Sequence, residues 1–201
     1  MAWPYTQTFN GLTDGDLNGQ DSWASDVDFD IQGVVTFEGA KAVEHTDNTE
    51  SDIKRTVTGS ASGNVSVEMR REGTGPNAAY SIFQGATRLT FFYLGRNSGA
   101  DQGGISNVAT TIDILTVSNS TFYTCEIEYD VSTDQYRGRI DGGTWTSWIG
   151  FYNGATATEV DAIQLIKQNG GTTAVYFDDI KDATPAAAET GFMTLQRGYW
   201  G

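Results

Sequence analysis

Glu126 and Glu128 stand two residues apart in the strand-like run Tyr123 to Asp130. Carboxylates at alternate positions of an extended chain project from one side, which is the placement that paired acid–base chemistry needs. A second run, Gln135 to Asp141, carries Arg137 and Arg139 at the same spacing. One antiparallel register sets Glu128 opposite Arg137, Glu126 opposite Arg139 and Tyr129 opposite Tyr136, with Val131 to Asp134 as the loop. Opposite charges directly across favour this register by about 0.2–1 kcal/mol per pair. A slip of one residue would expose the apolar face, so the register should be firm. Carboxylates matched by arginines form a solvated salt ladder in preference to a general acid with a nucleophile. The single cysteine, Cys125, and the single histidine, His45, lie far apart with no supporting pattern. With no Ser-His-Asp, zinc or phosphate-loop pattern either, no catalytic residue is assigned.

Aromatic residues form the second chemical grouping. Trp145, Trp148, Phe151 and Tyr152 follow the turn Asp141-Gly142-Gly143. In a regular strand Trp145 and Phe151 share one face, and Trp148 and Tyr152 the other. One face must be core. The other offers stacking platforms for a sugar ring or a surface for a partner subunit. Trp145, Trp148 and Tyr152 are therefore the ligand-binding candidates.

The elements that position these groups are strands. Runs rich in Val, Ile, Thr and aromatics, bounded by Gly, Asn, Asp and Ser, fall at 5–10, 34–38, 41–46, 53–58, 64–71, 78–84, 88–95, 110–117, 122–130, 135–141, 145–152, 160–167 and 173–181. Short, even spacing of this kind is the pattern of a sandwich or barrel. The chain has 201 residues, 24 of them Gly and only 3 Pro, and fits one large domain over residues 1–182. Cys125 should face the core as a small hydrophobe. The segment 183–201 is a linker followed by an aromatic C-terminal arm containing Phe192, Met193, Leu195, Tyr199 and Trp200. Such an arm docks on its own sandwich or on a neighbouring subunit. The net charge of −14 disfavours nucleic-acid backbones and anionic membranes as partners.

Two further stretches carry a resemblance. The first is Phe9-Asn10-Gly11-Leu12 with Gly15-Asp16-Leu17-Asn18-Gly19-Gln20-Asp21-Ser22-Trp23, and the second is Val175-Tyr176-Phe177-Asp178-Asp179-Ile180. With the Tyr123–Asp130 and Gly138–Gly142 runs between them, the chain resembles the concanavalin A-like lectin/glucanase superfamily, in its laminin-G-like jelly-roll branch. The resemblance spans residues 5 to about 181. It implies an all-β, two-sheet antiparallel jelly-roll sandwich with one concave sheet, the terminal strands being adjacent in one sheet. It also implies a structural calcium near a sandwich edge, held here by Asp178 or Asp179 together with Asp16 in the Asn10–Asp16 region. The alternative for Asp178 and Asp179 is a hydrogen-bonded role at a bulge or turn without metal. Glycosidases of the family use a Glu, an Asp and a Glu at every second position of one strand. Here the central residue is Glu128 and the third is Asp130 at the turn, a departure that argues against hydrolysis. Trp23 should plug one end of the sandwich.

Two functions follow as expectations. The first is a non-enzymatic structural subunit on the exterior of a virus particle, of decoration or head-fibre type. There the arm would contact other copies or other virion proteins. The chain opens at Met1 without an export signal, as a particle released by lysis allows. The alternative is an extracellular carbohydrate-binding module or lectin. No cofactor beyond the implied calcium is expected.

Overall fold

The computed structural model describes residues 5–24, 28–73, 77–95, 101–168 and 173–182. Its strands in chain order are β1 (Gly15–Asp16), β2 (Trp23–Ala24), β3 (Asp30–Gln32), β4 (Ala42–His45), β5 (Ser51–Ser60), β6 (Ser62–Arg71), β7 (Asn77–Gln84) and β8 (Thr87–Arg88). They continue as β9 (Phe92–Leu94), β10 (Gln102–Ser106), β11 (Thr111–Thr116), β12 (Tyr123–Asp130), β13 (Gln135–Ile140), β14 (Ile149–Gly150), β15 (Val160–Gln168) and β16 (Val175–Asp182). One sheet has the order β1-β3-β4-β16-β6-β12-β13-β14, and the other β11-β10-β9-β7-β15-β5-β2 with β8 beside β7. The architecture is the expected two-sheet antiparallel jelly roll.

Alternation builds the core. Val65, Val67 and Met69 on β6 and Cys125, Ile127 and Tyr129 on β12 point inward from the first sheet. They meet Tyr80 and Ile82 on β7, Phe92 on β9 and Ile163 and Leu165 on β15. The Tyr80 ring stacks on Phe92 at 5.5 Å, and its hydroxyl donates to the Cys125 carbonyl at 3.0 Å. Trp23 is buried against Phe9, their ring centroids 6.2 Å apart. The hairpin of β12 and β13 has the anticipated register: Glu128 faces Arg137, Glu126 faces Arg139 and Tyr129 faces Tyr136.

Three expected strands are corrected. Segment 5–10 contributes a single bridge between Gln7 and Ile180, which still brings the terminal segments side by side. Segment 34–38 is a bend: the Gln32 side chain accepts from the Val34 and Val35 amides and donates to the Val35 carbonyl, so the chain turns before a ladder can form. Segment 145–152 keeps only Ile149–Gly150 as strand. There the Thr146 hydroxyl accepts from the Gly138 amide, replacing a backbone acceptor and breaking the period of two. Strands β1, β2, β3 and β10 were not anticipated. The arm residues Phe192, Met193, Leu195, Tyr199 and Trp200 lie outside the described residues.

Candidate functional site

The outer face of the first sheet is a grid of polar side chains set by register. Directly opposed residues of antiparallel strands share a face. One row runs Asp178, Glu68, Thr124 and the next Lys181, Ser66, Glu126, Arg139. A third is Asn64, Glu128, Arg137 and a fourth Ser62, Asp130, Gln135. Glu126 receives Arg139 in a two-pronged contact at 2.6 and 2.8 Å, and the Gly142 amide at 3.2 Å. Glu128 accepts from Arg137 at 2.5 Å.

Above the two arginines lie the indoles. Trp145 sits over Arg139 at 4.4 Å and Arg137 at 5.1 Å, and Trp148 over Arg137 at 4.8 Å. Each guanidinium is thus held between a carboxylate and a ring. This corrects the expected split of the two tryptophans onto opposite faces, because the irregular segment before β14 turns both to the charged side. Trp148 remains 37% exposed and forms one wall of a recess of about 280 Å³. The other lining residues are Ser62, Gly63, Asn64, Glu128, Tyr129 and Asp130. Phe151 is core, whereas Tyr152 packs on Phe91 at the outer face of the second sheet, away from both tryptophans.

The expected strand at 64–71 is β6 of this face, but its polar side chains were not among the sequence-derived candidates. Asn64, Ser66 and Glu68 alternate with the apolar Val65, Val67 and Met69, and that alternation was the available signal. Asn64 Oδ1, Ser66 Oγ and Glu68 Oε2 are buried and have no hydrogen-bond partner among the described residues. Burial pushes the Glu68 carboxyl up to about 7, partly opposed by the hydrogen bond from Thr124 and by Lys181.

The proposed calcium ligands do not fit a metal. Asp16 faces Asp30, which faces Glu44, which faces Tyr176, so Asp16 lies three strands from β16. At the usual strand spacing that is about 14 Å. Asp178 accepts the Phe37 amide at 2.9 Å, the Glu38 amide at 3.2 Å and the Asp179 amide at 2.8 Å. Asp179 pairs with Lys181 across the bulge in β16. Asp16 accepts from the Asn18 amide at 2.8 Å. Among the described residues no group of three or more His, Cys, Asp or Glu side chains is placed to hold a metal ion.

No protein-family model matches the chain, and no curated protein matches it. Solved structures do. A sialidase superposes with a TM-score of 0.63 at 12% identity over 86% of this chain, which spans 18% of the sialidase. A Bacteroides ovatus mixed-linkage glucan GH16 protein in complex with a G4G4G3G product gives 0.61 at 11% identity, covering 89% of this chain and 99% of that one. The carbohydrate recognition domain of Emp46p, in its potassium-bound form, gives 0.58 at 9% identity, covering 89% and 95%. Likeness at these identities shows the fold alone, a two-sheet antiparallel jelly-roll sandwich.

Proposed function

We propose that this protein binds a neutral carbohydrate chain at the Trp148 recess and does not hydrolyse it. The observation that carries the reading is the half-exposed indole of Trp148, braced on Arg137 and walling a recess rimmed by Ser62, Asn64, Glu128 and Asp130. A flat apolar ring beside hydroxyl, amide and carboxylate groups suits a pyranose, whose ring face stacks while its hydroxyls donate to the oxygens. A carbohydrate recognition domain and a GH16 protein in complex with a G4G4G3G product share the fold and lend support.

Hydrolysis competes through one residue. Glu68 holds its proton close to neutral pH, as a general acid must. It is, however, 1% exposed, so a glycosidic oxygen has no access to it in this arrangement. Glu126 and Glu128 are engaged by arginines. Titration with cello-, laminari- and chito-oligosaccharides, with reducing ends assayed in the same tubes, tests the reading. Binding without new reducing ends is expected. Release of reducing ends that stops in the Glu68→Gln variant would establish hydrolysis instead. An exterior virion role draws on sequence features alone, chief among them the aromatic segment 183–201, and is compatible with the same recess.

A further inference from the structure

We propose that the outer face of the second sheet holds a separate site for a ring-bearing carboxylate, anchored by Arg88. The proposal is independent of the Trp148 recess.

Charge bookkeeping singles out Arg88. The chain has 26 acidic and 12 basic residues. Arg55, Arg70, Arg71, Arg137 and Arg139 each pair with a carboxylate. Arg88 has no carboxylate at ion-pair distance among the described residues. Its surroundings are aromatic instead: its guanidinium carbon lies 5.7 Å from the Phe83 ring centroid, 5.5 Å from Phe91 and 5.4 Å from Tyr152. One nitrogen donates to Gln164 Oε1 at 3.2 Å, and Gln164 donates in turn to Asp52 at 2.6 Å. This relay fixes the guanidinium while leaving other N–H groups of its fork for an outside acceptor.

Two depressions flank it. One of about 380 Å³ is lined by Thr87, Arg88, Tyr152, Asn153 and Ala155. The other, about 240 Å³, is lined by Glu50, Ser51, Asp52, Arg88 and Ile166. The carboxylates of the second repel an anion, so the ligand belongs on the Tyr152 side. That side is built rigidly. The Tyr152 amide donates to the Leu89 carbonyl at 2.7 Å, and the Asn153 amide to the Asn107 carbonyl at 3.1 Å. Asn153 takes φ 55°, a left-handed conformation that asparagine tolerates. The ligand chemistry follows from the lining. An arginine fork matches a carboxylate, and the Tyr152 ring provides a stacking surface. Thr87 and Asn153 supply polar contacts at the rim. A sugar acid and an aromatic acid share this chemistry.

The test is titration of the whole protein, followed by amide NMR, with D-glucuronate, benzoate, D-glucose, benzamide and acetate. At least one ring acid should shift resonances around Arg88, Tyr152 and Asn153, and which one responds identifies the source of the carboxylate. The matching neutral compound and acetate should bind at least about tenfold more weakly. Arg88→Gln should lower affinity by a similar factor, while Trp148→Ala should leave it unchanged. Thr87→Glu, at an exposed position, should block the site by supplying Arg88 with an internal carboxylate. Absence of binding by both acids, equal binding of acid and neutral forms, acetate as good as the ring acids, or full affinity in Thr87→Glu would each overturn the proposal.

Discussion

Replacing Glu68 with glutamine should stabilise the protein at alkaline pH and leave it nearly unchanged at acid pH. The carboxyl is 1% exposed, and one oxygen accepts from the Thr124 hydroxyl at 2.7 Å. Its other oxygen has no partner among the described residues. Burial, reinforced by Asp179 and Asp141 and opposed by Thr124 and Lys181, raises its pKa from 4.5 to about 7. A raised folded-state pKa fixes the sign. Below the unfolded value both states hold the proton and the group carries no penalty. As the pH climbs towards the folded value, the unfolded chain releases its proton while the folded one retains it, so stability falls and levels off above that value. The shift corresponds to about 3 kcal/mol. Glutamine never ionises and keeps an acceptor for Thr124. The variant should therefore match the parent near pH 4 and exceed it by up to about 3 kcal/mol at pH 8, or roughly 6–12 °C in Tm. Calorimetric melts of both proteins between pH 4 and 8 read this out, and subtraction cancels the other carboxylates. A difference that does not change with pH, or a less stable variant at pH 8, would refute the reasoning.

Two further expectations concern packing and charge. Arg139→Ala strands Glu126, which is only 5% exposed, and should cost about 3 kcal/mol. Arg137→Ala acts on a pair whose side chains are both 28% exposed and should cost about 1 kcal/mol. Urea melts check the order, and a larger loss for Arg137→Ala would contradict it. Gly138→Ala places a methyl 2.6 Å from Ile105 Cγ2 and 3.0 Å from the Phe92 ring. It should destabilise by about 1–3 kcal/mol in the same assay.

What the sequence made legible follows from where local pattern and tertiary environment agree. The β12–β13 hairpin was readable because charge pairing and apolar alternation demand the same register. Strand β10 was not, because Gly103 and Gly104 erase its side-chain pattern. A Cβ on Gly103 would lie 2.7 Å from Ile140 Cδ1, and one on Gly104 2.2 Å from the Ile112 carbonyl, so close approach selects glycine there. Segment 34–38 looked like a strand, but Val34 is 91% exposed in the bend that Gln32 makes. Of the ligand candidates, Trp145 and Trp148 come together and Tyr152 leaves. The reason is that Thr146 replaces a backbone partner with its hydroxyl, and strict alternation cannot anticipate that. For Asp178 the sequence leaves a metal and a hydrogen-bonded role both open. Which partners it found depended on a loop some 140 residues away in sequence, beyond the reach of local pattern.

The central claim is a carbohydrate site walled by Trp148. Calorimetric titration of the parent and of Trp148→Ala with the same neutral oligosaccharide tests it most directly. Loss of one stacked ring should weaken binding by about tenfold or more, measured at a temperature where both proteins are folded. Equal affinity in the two proteins, or no affinity in the parent for any neutral oligosaccharide, would contradict the account.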